Sequence, residues 1–420
     1  MLERVSGFAM KLLKGSYIRS LVAAICQWRC NRSVRKLSLR QDRVVRVAFL
    51  QMYATSNQNL RIFEMMMKDP VFDPYFIVNP DVSRSKENAE LNYTRTIQEL
   101  RNTYGKARVL DGISADGDYI DYSSNFDLMT TNNPYDNMAA RPFRILYWTL
   151  RGVPSFYTSY FYMGRCRVSV ENIKMLSASC LWRFFADNNM VVQMAKKFAV
   201  LHGRNFVLMG SPKMDAYENR VSRPSSKPVV LVAPHHSIGN VYPQNSAFLD
   251  YAHDLLDLMR TFSSINFIFR PHPLLFENLK KEEYWGVVAT EDFMRQLSGL
   301  SNVTISQNGD YLQEFADSDA LIHDCGSFSA EYLFTGKPCA YIVRASVDMS
   351  TFSELGRKCI EAHYQIHNTK DIVEFLDNVV RKGGDCMCED RTRFAHEELM
   401  YNYPHVSEAI VNHVKKMLGR

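Results

Sequence analysis

Three short stretches in the second half of the chain carry side chains suited to hold an anion. They are Pro234-His235-His236-Ser237, Arg270-Pro271-His272-Pro273 and His323-Asp324-Cys325-Gly326-Ser327, with Glu331 one helical turn further on. A guanidinium grips phosphate oxygens with two parallel hydrogen bonds. An imidazole, once protonated, adds a charge or hands its proton to a departing phosphate oxygen. Pro271 and Pro273 fix φ on either side of His272, so Arg270 and His272 would be held with little freedom. Gly326 permits close backbone approach, and Ser327 would donate to a phosphate or cap the helix that follows. Glu331 suits the hydroxyls of a sugar, or is an ordinary solvated helix acid. Asp324 is expected to fix its own turn through backbone bonds. His235 and His236 are adjacent, so on an extended segment they would point opposite ways and one would face the ligand. Together with His272 they supply enough nitrogens for a metal. The arginine and the prolines match an anion better, and no metal site is assigned. Each motif has a bland counterpart, a loop histidine bonded to backbone or a plain capping serine, so the argument rests on their joint placement.

That placement comes from the elements before each stretch. Pro228–Ala233 is a near-continuous apolar run, as in a central parallel strand. Ile265–Phe269, Val303–Ile305, Ala320–Ile322 and Cys339–Val343 follow as strands, alternating with helices near Leu249–Phe262, Phe293–Leu300, Tyr311–Ala316, Phe328–Phe334 and 370–380. Strand and helix in alternation predict a doubly wound parallel sheet. Such sheets bind ligands beyond the carboxyl ends of their strands, which is where the three stretches fall.

The first half follows the same grammar. Strands are expected at Val44–Leu50, Tyr75–Val78, Arg108–Leu110, Phe126–Met129 and Phe143–Trp148, with helices at Asn57–Lys68, Asn88–Lys106 and across 171–200. The aromatic stretch Phe156–Tyr162 is read as core. Residues 213–227 are polar, carry proline and read as a linker. With 420 residues, two domains are the natural expectation.

Charge is unevenly placed. Residues 1–46 hold eleven Lys or Arg and two acids, a net +9, which leaves about −4 for the rest of a chain whose total is +5. Apolar residues at helical spacing, Leu2 to Leu13 and then Ile18, Leu21, Val22, Ile25 and Trp28, precede the basic block Arg29, Arg32, Arg35, Lys36 and Arg40. This leader would either lie on an anionic membrane or pack on the body with a solvated face. Nucleic acid is not an expected partner, since the rest of the chain is slightly acidic and shows no binding module. No run approaches the ~18–20 apolar residues of a membrane span, and no signal peptide is read. The nine cysteines show no disulfide framework, and the Cys386-x-Cys388 pair lacks a second pair for structural zinc. A reducing, cytoplasmic setting is expected.

The run Phe269–Pro273, with His323–Ser327, Glu331-Tyr332 and Gly336-Lys337-Pro338, resembles the C-terminal domain of the CDP-glycerol:poly(glycerophosphate) glycerophosphotransferase family. The likeness covers about residues 228–380 and is weaker over 44–210. It implies an α/β, GT-B-like fold, two doubly wound parallel-sheet domains facing a cleft, here with a basic N-terminal helical leader. The corresponding division is a leader (1–43), an acceptor-side domain (44–212), a linker (213–227), a nucleotide-binding domain (228–380) and a helical tail (381–420). It further implies transfer of glycerol phosphate from CDP-glycerol to a hydroxyl of a lipid-linked or polysaccharide acceptor, with release of CMP. The work would be done at the inner face of a bacterial plasma membrane, in teichoic-acid or capsule synthesis. By that likeness Arg270 and His272 hold the pyrophosphate, Gly326 and Ser327 form a phosphate turn, Glu331 meets the ribose, and His235 or His236 adds to the catalytic cleft. No cofactor is assigned; a divalent cation and a homo-oligomer are compatible with this reading but called for by no residue.

Two departures stand out. The family's Asp-Tyr-Ser-Ser turn is Asp324-Cys325-Gly326-Ser327 here, and its first-domain Trp-His-Gly segment is replaced by Tyr147-Trp148-Thr149-Leu150-Arg151-Gly152, without histidine. Asp111 and Asp136 are weak candidates for the missing base. A GT-B glycosyltransferase using a nucleotide sugar, or a catalytically degenerate membrane-associated scaffold, are the alternatives.

Overall fold

Short apolar, β-branched and aromatic runs form two separate all-parallel sheets in this protein, seen here in a computed structural model that describes residues 16–54, 58–162, 166–239, 246–306, 311–343 and 349–420. The chain divides into two compact units. The first takes the chain through Phe161, Val168–Asp215 and Tyr401–Arg420; the second takes Tyr162–Arg167 and Ala216–Met400.

The first unit opens with helix α1 (Ser16–Ser38) and then β1 (Val45–Gln51), α2 (Leu60–Lys68), β2 (Phe72–Val78), α3 (Lys86–Tyr104), β3 (Val109–Asp111) and β4 (Leu128–Thr131). It continues through α4 (Ile145–Leu150), β5 (Ser155–Thr158), α5 (Cys166–Lys174), α6 (Leu176–Cys180), β6 (Arg183–Ala186), α7 (Asn189–Phe198) and β7 (Phe206–Leu208). The strands lie in the order β3-β2-β1-β4-β5-β6-β7. Its core stacks Phe63 on Phe76, with Phe49 edge-on at 5.1 Å from Phe63, a geometry that adds about 0.5–1.5 kcal/mol per pair beyond simple burial.

The basic leader is a structural part of this unit. Ala23, Cys26, Cys30, Val34 and Leu37, three or four residues apart, are buried against the body. Gln27 donates to the Ser179 carbonyl at 3.1 Å. The opposite face leaves Tyr17, Leu21 and Trp28 exposed, beside Arg32 and Arg35. The Leu2–Leu13 half of the expected leader lies outside the described residues. Among the described residues, no helix is long and apolar enough to cross a membrane.

Two sequence readings are corrected here. Residues 143–148 form no strand: a short 3-10 turn and α4 occupy the segment, because the Asp136 carboxylate accepts the N–H groups of Ile145 (2.6 Å) and Leu146 (3.1 Å) and so nucleates a helix. Short apolar runs do not distinguish strand from helix by periodicity alone. Conversely, the stretch 171–200 is not continuous helix. Trp182 is fully buried at the start of β6, whose Phe184 and Phe185 fill both faces of the sheet. The aromatic stretch is core where it forms β5, with Phe156 and Tyr157 buried.

The second unit carries β8 (Val229–Ala233), α8 (Phe248–Thr261), β9 (Asn266–Phe269), α9 (Leu275–Leu279), α10 (Gly286–Ser298), β10 (Val303–Ile305), α11 (Tyr311–Asp317), β11 (Ala320–His323) and α12 (Phe328–Glu331). After these come β12 (Cys339–Ile342), α13 (Glu354–Glu361), β13 (Tyr364–Ile366), α14 (Thr369–Glu374) and α15 (Cys388–Glu398). Strand order is β10-β9-β8-β11-β12-β13, so the winding reverses between β8 and β11. Every residue of β8 is buried; each Val or Leu so covered contributes about 1.5–3 kcal/mol.

The expected 381–420 tail is helical but divided. Helix α15 stays with the second unit, whereas α16 (Val406–Met417) returns to the first. Val406, Ile410, Val411, Val414 and Leu418 complete the first unit's core. Gly210 makes the seam: at φ +100°, a Cβ there would stand 2.1 Å from the Tyr401 carbonyl oxygen.

Candidate functional site

The candidate site is the carboxyl-end rim of the second sheet. Ala233 pairs with His323 and Val232 with Phe269, so β8, β9 and β11 end level and release their loops side by side. The reversal between β8 and β11 leaves a crevice there by topology, the usual ligand position in such sheets.

Asp324 ties these loops together. Fully buried, it accepts the His235 N–H at 2.6 Å through one oxygen. The other oxygen accepts the Ser246 hydroxyl (2.7 Å), the Ala247 N–H (2.9 Å) and the Tyr251 hydroxyl (3.2 Å). Burial raises its pKa to about 6, opposed by these four donors. It therefore fixes the neighbouring loop and the start of α8 rather than its own turn, correcting the sequence reading. None of those partners is adjacent in sequence, so only the fold reveals them.

Both adjacent histidines face the same way, a second correction. Ring centroids lie 4.3 Å apart for His235–His236, 4.0 Å for His236–His272 and 5.3 Å for His235–His272. They sit past the end of β8, in a turn where the two-residue alternation of a strand no longer holds. The His272 N–H donates to the Pro234 carbonyl at 3.0 Å, which clamps the second loop to the first.

The network assigns two tautomers. Nδ1 of His235 accepts the Ser237 N–H at 3.2 Å, and Nδ1 of His272 accepts the Leu274 N–H at 3.2 Å. In a neutral ring the proton is then on Nε2, the ring's remaining donor. His272 is held neutral chiefly by burial, then by His236 and Arg270, which bring its pKa down to about 3; burial also lowers His236. The expectation of a protonated His272 is thus corrected: the ring is a neutral N–H donor and not an imidazolium. The three rings can hold a metal, since one nitrogen from each lies within 4.8 Å of the others. For Nε2 of His235 and His272 to coordinate, however, both rings would have to give up those backbone N–H bonds and change tautomer.

Arg270 leaves β9 beside this cluster, but its guanidinium is paired. It donates to Glu314 at 2.8 Å and lies 3.4 Å from the Ser306 hydroxyl, with side chains only 15% and 7% exposed for Arg270 and Glu314. Tyr311 stands under it, its ring centroid 5.6 Å from the guanidinium carbon, and donates to Glu331 at 2.5 Å. Glu331 is fully buried, and its Oε2 is the atom that accepts the Tyr311 hydroxyl. Gly326 and Ser327 are half-buried at the start of α12; the Gly326 carbonyl accepts the Ser329 hydroxyl at 2.6 Å, and the Ser327 side chain makes no cap bond. Sequence reasoning missed Glu314, Tyr311 and Ser246. An acid three residues after an aromatic, on an otherwise apolar helix face, was the only signal for Glu314.

In the first unit, Asp136 is the α4 cap described above and burial brings its pKa to about 6; Asp111 is ion-paired with Arg101. The strand-end rim there is rich in hydroxyls. Tyr135 and Tyr160 hydroxyls lie 3.3 Å apart, Tyr53 donates to Asp81, and Thr158 donates to Asn59 at 2.6 Å.

No family model matches the chain, and no curated protein matches it. Solved structures do. A UDP co-structure of S. aureus MnaA aligns with TM-score 0.57 at 14% identity, over 89% of this chain and 97% of that one. The UDP-GlcNAc 2-epimerase of Neisseria meningitidis bound to UDP-GlcNAc gives 0.56 at 12%, over 88% and 100%. The wall teichoic acid polymerase TagF gives 0.56 at 12%, over 96% and 98%. At this identity the likeness establishes the fold: two doubly wound, Rossmann-like parallel-sheet domains of GT-B-like architecture.

Proposed function

We propose that this chain is an enzyme acting on a nucleoside-diphosphate-linked donor, with the diphosphate seated on the rim formed by the loops after β8, β9 and β11. The observation that carries the reading is the convergence of His235, His236 and His272 at the point where the sheet order reverses, with Nε2–H groups of His235 and His272 as donors. Donors fixed in advance toward an anion need no rearrangement when charge develops on it. The neutral His272 ring donates its Nε2–H to the leaving phosphate oxygen and stabilises the charge that develops there. Gly326 and Ser327 are the proposed second phosphate contact, and Arg270 acts from behind, positioned by Glu314.

Two donor chemistries fit. A nucleotide sugar would break the bond between the anomeric carbon and phosphate oxygen, releasing a nucleoside diphosphate. Structural likeness to proteins bound to UDP and UDP-GlcNAc supports this. CDP-glycerol would be attacked at phosphorus, releasing CMP; the Arg270–Pro273 and Asp324–Ser327 motifs and the likeness to a wall teichoic acid polymerase support that. The tyrosine-rich rim of the first unit is proposed to receive a polyol or sugar acceptor. The exposed face of α1 supports peripheral attachment to an anionic membrane on the side where activated nucleotides are made. A donor screen that identifies the released nucleotide tests the proposal. UDP or GDP from a sugar donor selects the first chemistry and CMP from CDP-glycerol the second. Binding without turnover across acceptors would show a scaffold, and no binding of any such donor would overturn the reading.

A further inference from the structure

A concentration of positive charge lies at the opposite end of the first unit's sheet, away from its strand-end rim. A cavity of about 310 Å³ opens there between the last turns of α1 and the starts of β1, β4 and β5. Lys36 and Arg40 line it from the helix side, Arg43 from the approach to β1, and Arg151 from the turn before β5. Asp127 is the one acid in the lining; it is committed to Arg43 at 2.8 Å and to the Arg46 N–H at 3.0 Å. Among the described residues, no ion pair is formed by Lys36 or Arg40, while the Arg151 guanidinium lies 3.5 Å over the Tyr147 ring, whose hydroxyl donates to Asp121. Cations gathered in one concavity repel one another, and an anion among them relieves that repulsion. Just past the helix end at Ser38, Arg420 donates to the Arg40 (2.6 Å), Gln41 and Arg43 (2.8 Å) carbonyl oxygens, so those three acceptors are taken.

The same helix supplies the rest of a lipid-facing surface. Tyr17, Leu21, Ile25 and Trp28 are exposed along one stripe, with Trp28 60% and Leu21 61% accessible, and α1 contains no acid. Leu39, 84% exposed, immediately precedes Arg40 of the cavity lining. An apolar stripe ending in a basic pocket matches acyl chains below a phosphate headgroup.

We propose that this pocket binds the phosphate of an anionic membrane lipid, with Lys36, Arg40 and Arg151 as its ligands. The inference rests on the attachment reading above and is independent of the donor. The experiment compares sedimentation of the full chain with phosphatidylcholine vesicles, with and without phosphatidic acid. The pocket variant is Arg40→Gln/Arg151→Gln and the control is Arg32→Gln/Arg35→Gln, which removes equal charge from the outer face; Arg43 is left intact to keep Asp127 paired. Thermal melts confirm that both variants fold. Binding to phosphatidic acid vesicles is expected to fall by about 10-fold more in the pocket variant than in the control, whereas diffuse surface attraction would weaken the two alike. Equal losses, or none in the pocket variant, would overturn the pocket and leave attachment standing. If the wild-type chain ignores these vesicles yet binds inorganic phosphate, measured by calorimetry, the lipid assignment fails along with attachment.

Discussion

Replacing His272 separates a neutral donor from a charged one. Its Nδ1 takes the Leu274 N–H, and burial, with His236 and Arg270 nearby, holds the ring's pKa to about 3. Between pH 5 and 8 the free protein therefore presents a neutral ring with a proton on Nε2. A hydrogen bond to a charged phosphate oxygen contributes about 1.5–3 kcal/mol, which corresponds to about 10- to 150-fold in affinity. His272→Ala is expected to weaken binding of UDP-GlcNAc or CDP-glycerol, whichever the donor screen selects, by that factor. His272→Gln places an amide N–H near the Nε2 position and should recover most of the loss. The donor's diphosphodiester stays doubly ionised over this range, so wild-type affinity should be nearly flat from pH 5 to 8. Isothermal calorimetry at several pH values, with thermal melts to confirm folding, reads both quantities. If His272→Gln is as weak as the alanine variant and wild-type affinity climbs tenfold between pH 7.5 and 5.5, the ring binds as an imidazolium and the neutral-donor reasoning is wrong.

The Arg270–Glu314 pair yields a stability prediction. Arg270→Met strands a nearly buried carboxylate and should cost about 3–5 kcal/mol, while Arg270→Met/Glu314→Met should regain most of it; urea unfolding showing a loss below about 1 kcal/mol for the single variant would mean that the pair is not coupled. Acid sensitivity follows from His363, which burial holds near pKa 4 while its Nδ1 donates to the Cys359 carbonyl at 2.6 Å. Between pH 6.5 and about 4 the unfolded chain binds the extra proton, so this contribution is complete above pH 6.5 and is lost as pH falls, at up to about 1.4 kcal/mol per pH unit. His363→Asn keeps a donor for Cys359 without titrating and should flatten the stability–pH curve by about one proton; an unchanged slope would remove His363 from the account.

Much of the second unit was legible beforehand. The apolar run Val229–Ala233 reads as a central strand because both faces of a parallel sheet are covered, and its motif-bearing neighbours end at the same level. The first unit was harder. Trp182, Phe184 and Phe185 suit a helix as well as the strand they form, since large apolar residues without strict alternation fit either state. The helix at 145–150 depends on the Asp136 carboxylate nine and ten residues back, a contact beyond the reach of local pattern. Likewise α16 reads as a sound amphipathic helix, while its place in the first unit depends on a core assembled from the distant β1, β2 and β6.

Residue order alone determined the strand–helix alternation, the rim that would carry the imidazoles and Arg270, and the cationic leader, because each is written in local periodicity and composition. Tertiary structure decided what those groups are able to do. It paired Arg270 with Glu314, buried Glu331 beneath Tyr311, turned both His235 and His236 toward His272 and lowered the pKa of His236 and His272 by burial. Hydrogen-bond partners and desolvation come from chain segments dozens of residues apart, so ionisation and availability exist only once the fold has brought them together.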